Sequence, residues 1–176
     1  NISADHLERH KNLKNYINAK FKLLESQNSK GFAYVKDNDS LISQKIKSKN
    51  FNPKIIKVNT RKLDKFLKNI NNNYFLTNSN KENLSFVLEI SKKLKLRTHL
   101  LSETIRRFKG LNYRQQIIFK KKNLTIINDS KSTSFSSTES VLKTNHNIFW
   151  LLGGIHKKGD KFNFKKGDLS NVIAFI

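Results

Sequence analysis

Six consecutive residues, Asn128-Asp129-Ser130-Lys131-Ser132-Thr133, gather a carboxylate, an ammonium and three hydroxyls directly after the apolar run Leu124, Ile126 and Ile127. The run is short and rich in β-branched residues, so it reads as a buried strand that delivers a site at its carboxyl end. Ser, Thr and Glu residues then lead into Val141 and Leu142, which predicts a helix starting just after the cluster. Its unpaired N–H groups and Lys131 together suit an anion. The plain alternative is a solvated Ser/Thr/Lys loop. Two further groups could do chemistry. Asp5-His6 offers a carboxylate and an imidazole able to hold a divalent metal or orient a water, or else a helix cap and a surface histidine. Gly153-Gly154, after an apolar run ending at Leu152, would let a ligand approach backbone N–H groups, with Lys157 adding a charge.

The elements that must position these groups follow from periodicity. Leu13, Tyr16, Ile17, Leu23 and Leu24 share one face of a predicted helix. Gly31 to Val35 reads as a strand, Leu41, Ile42 and Ile46 as a short helix, and Ile55 to Val58 as a second strand after the turn at Asn52-Pro53. This strand–helix–strand alternation is the signature of parallel α/β structure. Lys62 to Ile70 is expected to be helical and Tyr74 to Leu76 a short strand. Leu84, Val87, Leu88, Ser91 and Leu94 mark a longer helix capped by Asn78 or Asn80, and Leu100 to Phe108 another that Gly110 ends. A domain boundary is placed there, giving 1–109 and 110–176. The second part is expected to hold an antiparallel hairpin, Gln115 to Phe119 with Leu124 to Ile127, then a helix to about Asn145 and a strand Asn147 to Leu152.

The 176 residues suffice for one ordinary domain or two small ones. With no cysteine, disulfides and thiolate metal sites are excluded, which suits a reducing compartment. No segment approaches the roughly 20 apolar residues of a membrane span, and the opening residues are polar, so a cytoplasmic protein is expected. The net charge of +22 would suit a nucleic-acid partner. The excess is mostly lysine dispersed through the chain, however, and accompanies abundant Asn, Ile and Phe, as in a composition bias toward AT-rich codons. A basic nucleic-acid-binding protein is therefore the alternative reading. There is no methionine, and the chain runs from Asn1-Ile2-Ser3 to an apolar end at Phe175-Ile176; both ends read as cut from a longer sequence.

Taken in order, these signals resemble the Mur ligases. Asn1-Ile2-Ser3-Ala4-Asp5-His6-Leu7-Glu8-Arg9 is similar to the family's N-x-x-x-D-H-[LM]-[DE]-R motif, and Tyr16-Ile17-Asn18-Ala19-Lys20 to its Y-x-x-A-K helix. Asn80-Lys81-Glu82-Asn83 resembles its N-x-x-N helix start, and Gly110-Leu111-Asn112-Tyr113-Arg114 its G-L-P-H-R lead into the last domain. Asn128 to Thr133 matches N-D-S-K-[AS]-T, the string of the D-glutamate-adding branch, and Leu151-Leu152-Gly153-Gly154 with Lys157 matches L-G-G-x-x-K. The resemblance covers nearly all of the chain.

It implies an α/β fold in which 1–109 is the later part of the central ATPase domain and 110–176 the beginning of a Rossmann-like C-terminal domain. It further implies ATP-dependent amide ligation in peptidoglycan biosynthesis, adding D-glutamate to UDP-N-acetylmuramoyl-L-alanine through an acyl phosphate. By the same resemblance His6 is a ligand or near-ligand of Mg²⁺, and Lys20 is the lysine that the family carbamylates, turning an ammonium into an oxygen ligand for a hard cation. Asn83 faces adenine; Arg114, Asp129 and Lys131 hold the phosphates and ribose of ATP; Lys20 and Lys131 act in catalysis; Thr133 and Lys157 position D-glutamate. The full-length protein is expected to be a monomer with no membrane partner. Asn112-Tyr113 departs from Pro-His, and His156-Lys157-Lys158 leaves open which lysine serves. No G-x-x-G-K-[ST] loop occurs in the sequence, so the polypeptide alone is expected to lack ligase activity. A non-catalytic nucleotide-binding member of the family is the other alternative.

Overall fold

The computed structural model describes Ile2 and residues 7–60, 63–67, 70–155 and 160–176. Asp5, His6, Lys157 and Lys158 lie outside the described residues. The fold is mixed α/β and divides into two units, Asn1–Lys68 with Glu82–Leu96, and Asn69–Lys81 with Arg97–Ile176.

The first unit contains α1 (Leu7–His10), α2 (Leu13–Glu25), β1 (Phe32–Lys36), α3 (Ser40–Lys47), β2 (Lys54–Val58) and α4 (Asp64–Leu67). β1 and β2 pair in parallel, from Phe32 opposite Lys54 to Lys36 opposite Val58, with α3 as the crossover that parallel strands require. Side chains alternate along β1: Ala33 and Val35 are buried, their neighbours half-buried. Local signals start both long helices. The Asn12 side chain accepts from the Asn15 N–H at 2.9 Å ahead of α2, and Asp39 accepts from the Ile42 N–H at 3.0 Å ahead of α3. The core forms where Phe21 of α2, Val35 of β1 and Ile42 of α3 meet, with Ile17, Leu24, Ile46, Phe51 and Ile55 packed around them.

α5 (Asn78–Lys93) begins in the second unit and continues in the first. The second unit otherwise holds a 3-10 helix at Asn73–Leu76, α6 (Thr98–Arg107), β3 (Gln116–Lys121), β4 (Leu124–Asn128), α7 (Phe135–Thr144), β5 (Ile148–Trp150), a second 3-10 helix at Lys166–Leu169 and β6 (Val172–Phe175). β3 and β4 form the expected antiparallel hairpin, with a register shift between Ile117 and Phe119. β5 and β6 pair in parallel.

Three expectations change here. β4 is not a buried strand: Leu124, Thr125 and Ile126 are exposed, and Ile127 and Asn128 are half-buried. Tyr74 to Leu76 is a 3-10 turn rather than a strand, because the Asn72 side chain accepts from the Tyr74 N–H at 2.9 Å and curls the chain. The turn sets Tyr74 edge-on to Phe108 and lays Phe75 against the same ring. Asn72 also donates through Nδ2 to the carbonyls of Ile105 and Phe108, both at 2.8 Å, closing the end of α6. The third change is the start of α5. Thr77 precedes its first turn and accepts from the Asn80 N–H at 3.4 Å, so neither Asn78 nor Asn80 is the cap.

Candidate functional site

β4 ends at Asn128 and hands over directly to the acid–lysine loop. Asn128 accepts from the Ser130 N–H at 3.1 Å and the Asp129 carbonyl accepts from the Ser132 N–H at 2.8 Å, so the chain folds into a tight turn around Asp129. Both carboxylate oxygens of Asp129 are engaged: Oδ1 accepts from the Gln115 N–H at 2.9 Å, and Oδ2 from the Ser132 hydroxyl at 2.6 Å. Each oxygen keeps a further lone pair, so the group is oriented and can still accept from a ligand hydroxyl. Lys131 is exposed, and its N–H donates to the Tyr113 carbonyl at 3.0 Å.

These two bonds lay the 110–115 segment beside the loop, and Arg114 with it. Tyr113 (φ 64) and Gln115 (φ 50) both have left-handed backbone, which flanks the exposed Arg114 with two conformations that ordinary side chains seldom adopt. Holding each costs about 1–2 kcal/mol, so the surroundings must over-determine them, as happens where a backbone is shaped for a ligand. Gly110 (φ 82) makes the preceding turn, and a Cβ there would stand 2.6 Å from Cδ2 of Tyr74. A side chain at position 110 would therefore run into the Tyr74 ring. Burial pushes the Tyr74 hydroxyl above the usual tyrosine range, against a downward pull from the Arg114 charge and with an upward push from Asp129. Arg114 and Asp129 thus both act on the Tyr74 hydroxyl, with opposite sign.

α7 starts at Phe135 after Ser134, a few residues past Lys131 as expected. The first N–H of the helix is not open, however. It donates to Oδ2 of Asp160 at 3.1 Å, while the Ser134 N–H donates to the Ser137 hydroxyl at 3.4 Å. An acid at this end is favoured by the helix dipole. Thr133 is exposed beside it.

The remaining described candidates belong to the first unit. Lys20 is exposed on α2 with its ammonium 5.2 Å from the ring centre of buried Tyr16. Asn83 is exposed on α5, three residues along from buried Asn80. His6 and Lys157 lie outside the described residues. Among the described residues no three His, Cys, Asp or Glu side chains gather as a metal site would need, and no helix is long and apolar enough to cross a membrane.

Reading the sequence missed Tyr74, Thr77 and Gln115. Thr77-Asn78-Ser79-Asn80 carries a capping signal in which Thr77, not an asparagine, is the acceptor; nothing in the residue type of Gln115 marks it. Gln115 nevertheless connects the start of α5 to the loop. Its Oε1 accepts from the Thr77 hydroxyl and from Nδ2 of Asn80, both at 2.8 Å, and its Nε2 donates to the Ser79 hydroxyl at 3.4 Å.

Comparison with known proteins gives the chain a family. The sequence model of the Mur ligase middle domain matches residues 1–105. The UDP-N-acetylmuramoylalanine--D-glutamate ligase of Francisella tularensis subsp. mediasiatica (strain FSC147) is 33% identical over 179 residues, covering 100% of this chain and 41% of its own length. Its namesake from Rickettsia prowazekii (strain Madrid E) is 31% identical over 176 residues, covering 90% of this chain and 40% of its own. That of Wolbachia sp. subsp. Brugia malayi (strain TRS) is 32% identical over 175 residues, covering 90% of this chain and 34% of its own. The chain thus spans about two fifths or less of the length of these relatives. Matched by the middle-domain model over more than half of its residues and by these ligases over nearly all of them, the chain belongs to the Mur ligase family.

Proposed function

We propose that this chain is part of a cytoplasmic, monomeric, ATP-dependent ligase that joins D-glutamate to UDP-N-acetylmuramoyl-L-alanine in peptidoglycan biosynthesis. Residues 1–109 would belong to its ATP-binding domain and 110–176 to its D-glutamate-binding, Rossmann-like domain. The observation that carries the reading is the pair of bonds from the Gln115 N–H to Asp129 and from the Lys131 N–H to the Tyr113 carbonyl. They set Arg114, Asp129 and Lys131 on adjoining segments. Similarity along the chain to ligases named for D-glutamate supports the choice of substrate.

In this reading Arg114 and Lys131, both exposed cations, take the phosphates of ATP, the oriented Asp129 accepts from ribose, and Asn83 faces adenine. The muramoyl-alanine carboxylate attacks the γ-phosphorus, forming an acyl phosphate and releasing ADP. Arg114 and Lys131 offset the charge that develops on the transferred group, a matter of positioning and electrostatics. The D-glutamate amine, with its amino acid held by Thr133 and Lys157, then attacks the acyl carbon; the C–N bond forms and phosphate leaves. Magnesium would add charge neutralisation, with His6 and a carbamylated Lys20 as this chain's contribution. The described residues do not by themselves make a metal site.

Amide shift mapping of the purified chain tests the reading. Mg-ADP should shift Arg114, Asp129 and Lys131, and D-glutamate but not L-glutamate should shift Thr133. Absence of both responses would overturn the site. The chain alone should release no ADP, since its sequence has no G-x-x-G-K-[ST] loop; D-glutamate-dependent ADP release would contradict that.

A further inference from the structure

We infer that Gln115 is a positioning residue, tying the Asp129 carboxylate to the first turn of α5 so that the carboxylate proposed to meet the nucleotide is held in one arrangement. The inference rests on the nucleotide reading above but assigns a role that the resemblance did not supply.

Gln115 uses three groups at once. Its backbone N–H points at Oδ1 of Asp129, at 2.9 Å. Its side-chain oxygen accepts from Thr77 and Asn80, each at 2.8 Å, and its side-chain nitrogen reaches Ser79. The partners are themselves fixed. Asn80 is buried and donates its second amide hydrogen to the Tyr74 carbonyl at 2.7 Å. Ser79 lies 3.1 Å from the Ser140 hydroxyl of α7. Asp129 is gripped from the other side by Ser132. Left-handed backbone at a glutamine is unfavourable in isolation. It is what lets one residue aim its N–H at Asp129 and its side chain at α5, and the three side-chain bonds hold it there.

Two variants separate the side-chain clasp from the backbone shape. Gln115→Gly keeps the left-handed conformation available and deletes the clasp. Gln115→Glu keeps the acceptor facing Thr77 and Asn80, and Ser79 can turn its hydroxyl to donate. Amide hydrogen exchange at position 115 and Mg-ADP affinity are measured on the whole 176-residue chain. In Gln115→Gly the amide should exchange about tenfold faster and nucleotide affinity should fall by about fivefold, while Gln115→Glu stays within about twofold on both. Unchanged exchange in Gln115→Gly would overturn the inference, as would a Gln115→Glu variant as impaired as Gln115→Gly. Should the parent chain show no affinity for Mg-ADP, the nucleotide reading fails while the exchange arm still decides the clasp. If Gln115→Gly does not fold, Thr77→Val removes one donor, and exchange at position 115 should quicken by about threefold; no change there would overturn the inference equally.

Discussion

The first unit and the loop region of the second hold their shapes by different means. Around β1 and β2 the order comes from apolar burial: Phe21, Val35 and Ile42 meet in one core, and Val58 is fully enclosed. The proposed ligand residues Lys20 and Asn83 sit exposed on its helices and contribute nothing to that core. Around Asp129 the relation is reversed. The hairpin β3–β4 leaves Ile118, Leu124 and Ile126 exposed, while the order comes from side-chain hydrogen bonds among Thr77, Asn80, Gln115, Asp129 and Ser132. One region carries its exposed proposed ligand residues on a packed scaffold; in the other the proposed ligand residue is itself part of the scaffold. A substitution in the first should therefore separate stability from binding, and one in the second should not.

The largest effects should come from packing. Phe21→Ala removes the ring that joins α2 to β1 and α3 and should cost about 3–5 kcal/mol, read as a fall in the urea midpoint by circular dichroism. Against a total domain stability of about 5–15 kcal/mol that is close to unfolding. Gly110→Ala is its counterpart in the second unit. A methyl there would stand 2.6 and 2.7 Å from Tyr74 ring atoms, on backbone at φ 82. Overpacking and the left-handed conformation together should cost about 2–4 kcal/mol, with Trp150, the single tryptophan, as the fluorescence reporter. A neutral Gly110→Ala would mean that the Tyr74 ring swings aside, and the second region would then owe little to this close approach.

The same contrast explains what could be read from the sequence. Apolar spacing is a periodic signal, so the β1–α3–β2 unit, the β3–β4 hairpin and the helices α2, α5, α6 and α7 were all legible. The acid–lysine loop was legible as a motif, because its residue types are unusual together. Gln115 was not, since a glutamine after an arginine has no pattern and its importance comes from a left-handed φ that residue type does not announce. Tyr74 to Leu76 departs from its strand pattern for a related reason. Aromatic and leucine residues favour strands on average, but Asn72 accepts from the Tyr74 N–H and bends the chain before a strand can extend.

A smaller effect should distinguish the two asparagines of α5. Asn80 is buried and donates to both the Tyr74 carbonyl and Gln115, so Asn80→Ala should cost about 1–3 kcal/mol by leaving those acceptors short of a partner. Asn83 is exposed, and Asn83→Ala should change stability by no more than about 0.5 kcal/mol, with alanine's helix propensity on its side. Its effect should instead appear as weaker Mg-ADP binding. Equal destabilisation by the two would break the distinction between scaffold and ligand-facing positions on this helix.

The finest test reads charge rather than stability. Tyr74 is held above the normal tyrosine range chiefly by burial, with Arg114 pulling it down and Asp129 pushing it up. Its folded value exceeds its unfolded one, so the native state holds the phenolic proton more tightly. The associated stability is fully present below the unfolded value of about 10 and is lost as pH rises through the folded value. Arg114→Ala should raise the Tyr74 titration further, and Asp129→Asn should bring it back toward an ordinary tyrosine, each followed by NMR of the labelled phenolic carbon. Opposite displacements would show that both charges face the ring beside Gly110, and would place Arg114 and Asp129 over one shared site in solution. If only Asp129→Asn moves the titration, Arg114 points elsewhere in the absence of ligand, and its proposed phosphate contact would have to form on binding.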